Sequence, residues 1–150
     1  MAVYLADEQS VDVDTDDLLS LARHVLEARR VPDDMELALL LVDEQTIAGL
    51  NEEHLGKQGP TDVLAFPIDE PGETPPGVPS ILGDVVLCPT VAHGQAPQFG
   101  RTPHDEVRLL TVHGILHLLG MDHATPTEEA EMFGLTDDLL ASYAARSQSQ

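Results

Sequence analysis

Apolar positions along the chain change period repeatedly, and each change marks an element. Val3–Ala6 reads as a short first strand. Asp14-Thr15-Asp16-Asp17 then caps a helix whose Leu18, Leu21, Ala22, Val25 and Leu26 recur at helical spacing. Its acidic start, and Arg23, Arg29 and Arg30 towards its end, suit the helix dipole. Glu36–Val42 is a near-continuous apolar run, short enough for a buried strand. Asp43 caps the next helix, which carries Ile47, Leu50 and His54 before Gly56 and Gly59-Pro60 break the chain. Thr61–Phe66 follows as a third strand, ended by Pro67.

Residues 67 to 80 hold Pro67, Pro71, Pro75, Pro76 and Pro79 with Gly72 and Gly77, the makings of a surface loop near a cleft. Ile81–Cys88 is the fourth strand, interrupted at Gly83-Asp84, and Cys88 within it reads as a small buried side chain. A helix over Thr90–Ala96 is stopped by Pro97 and Gly100. Pro103 opens another over about residues 103 to 119, with Val107, Leu110 and Leu118 available for packing. Pro126-Thr127-Glu128-Glu129 starts a last helix with Met132, Leu135, Leu139 and Leu140 on its apolar side. The expectation is a single α+β domain over residues 1–150: a four-stranded mixed sheet with surrounding helices and a site at one edge.

Composition narrows the chemistry. The 150 residues include 27 acidic and seven basic side chains, a net charge of −20, and Lys57 is the sole lysine. Such a surface repels nucleic acid at long range, so any anionic substrate has to be held locally. One cysteine excludes an internal disulfide, no stretch is apolar enough to span a bilayer, and the first residues lack a signal peptide's basic and apolar regions. These features lead us to expect a soluble cytoplasmic protein with no membrane partner.

The richest stretch is His113-Gly-Ile-Leu-His117-Leu-Leu-Gly120-Met-Asp122-His123. Two histidines four apart share one helix face, Gly120 can end that helix in the left-handed conformation, and the turn brings His123 back. Three imidazoles with an open fourth position make a catalytic zinc site, on the helix and the turn after it. The spacing also fits the HExxHxxGxxH pattern of metzincin proteases, but Gly114 stands where those enzymes carry their glutamate base. The comparison keeps the metal and removes the protease. Asp122 is the nearest carboxylate in sequence, suited either to orient a ligand or water or to shape the turn. Asp62 and Asp84 are candidates to hold the second N–H of a ligating imidazole. His54, His93 and His104 fall outside the spacing and read as surface residues.

The stretch from His113 to His123 resembles the HGxLHLxGxDH signature of the YbeY family of bacterial metal-dependent endoribonucleases. Asn51 through Lys57 to Pro60-Thr61-Asp62-Val63-Leu64-Ala65-Phe66-Pro67, Leu82-Gly83-Asp84-Val85-Val86, and Met132-Phe133 with Leu139-Leu140 agree as well. The resemblance implies a zinc-dependent, single-strand-specific RNase acting in 16S rRNA 3′-end maturation and ribosome quality control. It implies one Zn²⁺ per chain on His113, His117 and His123, with ribosomal RNA and small-subunit proteins or assembly factors as partners. Many members carry an arginine where this chain has Leu55, and Lys57, Arg101 and Arg108 are the candidates to bring that charge to the substrate. The expected chemistry is attack by a metal-activated water on a phosphodiester, with His113 and Asp122 as the catalytic candidates. Two alternatives remain open: a non-catalytic ribosome-assembly factor with a structural zinc, and a zinc hydrolase acting on another class of substrate.

Overall fold

The computed structural model describes residues 2–75 and 77–148. Pro76, one of the loop prolines, and the chain ends at Met1 and residues 149–150 lie outside the described residues.

In chain order the elements are β1 (Ala2–Glu8), α1 (Thr15–Ala28), β2 (Met35–Val42), α2 (Glu44–Leu55), β3 (Val63–Pro67) and β4 (Ser80–Leu87). They continue with α3 (Pro89–Gln95), a 3₁₀ turn over Ala96–Phe99, α4 (Pro103–Leu118) and α5 (Pro126–Gln148). The four strands form one mixed sheet in the order β1-β2-β4-β3. β1, β2 and β4 run parallel, and β3 pairs antiparallel with β4 through Val63↔Leu87 to Pro67↔Gly83.

Parallel strands need cover on both faces, which explains why β2 reads as an unbroken apolar run. On one face Leu37, Leu39 and Leu41 of β2 join Val85 and Leu87 of β4 under α1, α4 and α5. On the other, Val42, Leu64, Val86 and Cys88 pack with Ile47 of α2. α4 is covered from several sides, touching α1, α3 and α5 as well as β3 and β4. Its apolar positions accordingly run nearly all round the helix: Val107, Leu109, Leu110, Val112, Ile115, Leu116 and Leu118 are all buried.

Local chemistry sets the boundaries. Asp14, Asp43 and Thr102 each accept a hydrogen bond from the backbone N–H three residues on, capping α1, α2 and α4. The third strand starts at Val63 and not at Thr61, because the Asp62 carboxylate takes the Val63 N–H at 2.8 Å and holds the entry as a turn. α1 ends at Ala28 with no basic residue in its last turn, so Arg29 and Arg30 lie beyond it and Arg23 within it. Arg30 takes a left-handed φ of 57°, turning the chain towards β2. No helix among the described residues is long and apolar enough to cross a membrane.

Candidate active site

α4 carries His113 and His117 on one face, and the backbone beyond it is reversed as the glycine spacing requires. Gly120 sits at φ 91°, its N–H donating to the His117 carbonyl and the Met121 N–H to the Leu116 carbonyl, both at 3.0 Å. This pair of bonds is the glycine-ended helix stop, and it delivers Asp122 and His123 to the same side as the two helix histidines. A cavity of about 860 Å³ results, lined by His113, His117 and His123 together with Lys57, Asp62, Phe66 and Asp122. Its other wall is β3, the antiparallel edge strand.

Gly114 has a packing role besides leaving no carboxylate next to His113. A Cβ there would stand 2.5 Å from Val85 Cγ1 and 3.1 Å from Val85 Cγ2. The bare backbone lets α4 press onto β4, and thereby fixes how deep His113 sits. Gly83 makes a second close approach, at φ 151°, where a Cβ would meet the Phe66 carbonyl oxygen at 2.4 Å.

The imidazoles differ in setting. His113 Nε2 is buried and has no hydrogen-bond partner. Burial, with His117 and His123 nearby, pushes the His113 pKa down to about 4, so its ring is neutral at physiological pH. His117 is shifted the same way, first by burial and then by His123. His117 and His123 stand edge to face with ring centres 5.2 Å apart. Two imidazoles on one tetrahedral zinc, with Zn–N bonds of ~2.0–2.1 Å, place their ring centres about 5 Å apart. The residues therefore fit such an ion in donor type, protonation state and the spacing of one pair. Among the described residues, however, no three His, Cys, Asp or Glu side chains stand as a preformed metal cage. His113 instead sets its ring against Phe133, at 4.9 Å between centres. Helix period and glycine turn bring the three residues to one cavity, while the two side-chain torsions of each ring decide where the nitrogens point.

Carboxylates hold the frame. Asp122 accepts the His123 N–H at 2.7 Å, which is the turn-shaping role, while its charge also faces His117. Asp62 lines the cavity, with one oxygen on the Val63 N–H and the other accepting from Gln95 Nε2 at 2.9 Å, and its charge acts on His113. Asp84 does not line the cavity; it pairs with Phe66 in the sheet.

Of the basic candidates, Lys57 lines the cavity. Buried Asn51 fixes its loop, donating from Nδ2 to the Gly59 carbonyl at 3.0 Å while its own carbonyl takes the Lys57 N–H. Arg101 and Arg108 line a separate cavity of about 530 Å³ beside α5. Arg101 pairs at 3.2 Å with Glu106, whose side chain is only 2% exposed, and Arg108 donates to Asp17 at 2.6 Å. Arg108 is thus committed to the packing of α1 on α4. Asp17 also receives His104 and Tyr143. His104 is consequently half-buried and paired, against the expectation of a surface residue, and His54 lines the histidine cavity with its ring 4.9 Å from Phe66. Leu55 also lines that cavity and is 53% exposed.

Sequence reasoning gives Phe133 no place at the site, since it lies off the apolar stripe of α5. It also misses Glu106, whose only signal is an arginine five residues before it.

Comparison with known proteins decides the relationship. The sequence profile of the family described as endoribonuclease YbeY matches residues 4–144. The chain belongs to the YbeY family. A YbeY endoribonuclease of Salinispora tropica is 52% identical over 95% of this chain and 96% of its own length. One from Acidothermus cellulolyticus is 51% identical over 97% of this chain and 93% of its own. The YbeY fold is matched too by the solution structure of a Thermotoga maritima protein, 28% identical, with a TM-score of 0.65 over 99% of this chain and 93% of that one.

Proposed function

We propose that this YbeY-family chain is a zinc-dependent endoribonuclease that cuts single-stranded RNA in 16S rRNA 3′-end maturation and ribosome quality control. It works in the cytoplasm, on the ribosome or its precursors. The observation that carries the reading is the buried, partnerless Nε2 of His113, in a neutral ring beside two further imidazoles. A buried polar atom left unsatisfied is costly, and a bound cation removes the cost.

His113, His117 and His123 would hold one zinc ion. The chemistry such an ion supplies is Lewis-acid polarisation of a phosphoryl oxygen and a more acidic water. The chain's own residues do the rest. Lys57 neutralises a phosphate at the cavity wall, the one lysine of a strongly acidic protein placed where an anion must enter. Asp122 fixes the turn that presents His123, and Asp62, held by Val63 and Gln95, puts a negative charge near His113 that a bound cation would also feel. With Gly114 next to His113, no carboxylate of α4 lines the cavity, leaving proton transfer to the groups that do. The acidic remainder of the surface suits docking to basic ribosomal proteins or assembly factors.

The test is His117→Ala. The expected outcome is a folded protein that has lost both stoichiometric metal and cleavage of single-stranded RNA. A verified metal-free protein that still cuts RNA would refute the mechanism. A variant that restores 16S processing in cells without cutting RNA would favour a non-catalytic assembly role.

A further inference from the structure

The fully buried core of this protein holds no aromatic ring, although Phe66 and Tyr143 pack against it partly buried. Among the described residues, every buried apolar side chain is aliphatic, methionine or cysteine. The chain has three phenylalanines, of which Phe99 and Phe133 are exposed. Phe66 lines the cavity against His54. Phe133 is 41% exposed, with its ring 4.9 Å from that of His113. Phe99 is 59% exposed and carries the Arg101 guanidinium over its ring at 5.2 Å. Arg101 is near enough for its charge to act on His113, and Gln95, just before Phe99's turn, is bonded to the cavity residue Asp62.

One exposed phenylalanine needs no explanation. Two exposed phenylalanines, one set against His113 and one under the arginine whose charge reaches it, do need one, since leaving a phenyl ring in water forgoes ~1.5–3 kcal/mol each. Charge supplies the reason. A chain of net charge −20 cannot gather a polyanion through a broad basic groove, so Lys57 and Arg101 act only locally. The remaining handle on single-stranded nucleic acid is the π face of its bases, which stack on aromatic side chains regardless of sequence.

We propose that Phe133 and Phe99, the latter paired with Arg101, are stacking platforms for RNA bases beside the histidine cavity. The proposal rests on the endoribonuclease reading above and deepens it, assigning substrate affinity to rings and not to a phosphate-binding patch. Base–aromatic stacking of ~1–3 kcal/mol per base corresponds to about 5- to 150-fold in affinity. With so few cations at the site, the salt dependence is shallow: neutralising two phosphates gives a log–log slope of about −1.4.

The test is binding of the full-length protein to a 2′-O-methyl single-stranded oligonucleotide containing 2-aminopurine, followed by anisotropy and by 2-aminopurine fluorescence. The wild type should change the fluorescence on binding. Phe133→Ala and Phe99→Ala should each weaken binding about 5- to 150-fold with unchanged melting temperature. Phe133→Leu should behave like Phe133→Ala, whereas Phe133→Tyr should bind like the wild type. Binding unchanged in both alanine variants overturns the proposal, as does a leucine variant that binds normally. If those variants bind normally while the wild type cuts unmodified RNA of the same sequence, only the stacking assignment falls. If the rings bind as expected and the wild type never cuts RNA, it is the nuclease reading that fails.

Discussion

Gly114→Ala asks whether the packing of α4 on the sheet is as tight as described. The new methyl carbon would lie 2.5 Å from Val85 Cγ1, 3.1 Å from Val85 Cγ2 and 3.4 Å from Val63 Cγ2. Carbon pairs sit comfortably at ~3.5–4.0 Å, so helix and strand must part by about an ångström or Val85 must leave its rotamer. Val85 is wholly buried. Overpacking of this kind costs ~1–3 kcal/mol, against a gain of ~1 kcal/mol in helix propensity from glycine to alanine. The net effect should be a loss of up to ~2 kcal/mol, or up to some 8 °C in melting temperature for a domain of this size. Gly134→Ala is the matched control, since a Cβ on that α5 residue meets nothing within 4 Å. There the propensity gain acts alone and the protein should be stabilised by up to ~1 kcal/mol. Urea unfolding of both variants, and of Gly114→Ala combined with Val85→Ala, reads the difference. In the double variant the removal of the valine methyls should relieve the clash, giving a favourable coupling of ~1 kcal/mol or more. Equal stabilisation by the two alanines, or strict additivity with Val85→Ala, would refute the close-approach account.

The remaining predictions concern charge. Burial opposes ionisation of Asp17 more than any other influence, but hydrogen bonds from Arg108, Tyr143 and His104 together outweigh it and hold its pKa at about 2. A carboxylate depressed in the folded state stabilises fully above its ordinary pKa and loses that contribution as pH falls towards 2. Asp17→Asn should therefore cost about 2 kcal/mol near neutral pH and flatten the acid limb of stability between about pH 4 and 2, measured by urea unfolding across pH. Lys57→Ala should raise KM for single-stranded RNA and make the salt slope shallower by about 0.7, the share of a single neutralised phosphate. Leu55→Arg, placing the charge many relatives have on the cavity wall, should steepen the slope by the same amount. An unchanged slope in both would mean that no phosphate passes that wall.

Most elements were legible because their signals are local. Asp43, Thr102 and Gly120 act through their own neighbours, and the buried run of β2 shows its two-sided cover directly. The grouping of His113, His117 and His123 at one cavity was legible for the same reason, as a helix period followed by a glycine stop. What escaped depends on partners distant in sequence. Asp17 looked like an ordinary first-turn acid, yet its partners lie 87, 91 and 126 residues away. Gly114 looked like a missing base because its true neighbour, Val85, is on another element. Arg108 looked free for substrate until α1 was seen to pack against α4.

The position of β4 has a consequence for how the protein is made. It lies between β2 and β3, although both precede it along the chain. During synthesis β2 and β3 therefore emerge with unpaired edges, and they stay sticky until Leu87 has left the ribosome. α4 rests on β3 and β4, so the histidine helix has no floor before then. A nascent or truncated chain that stops short of β4 is an aggregation hazard with no trace of the histidine cavity. The enzyme's chemistry is in this sense deferred until the last third of the polypeptide exists.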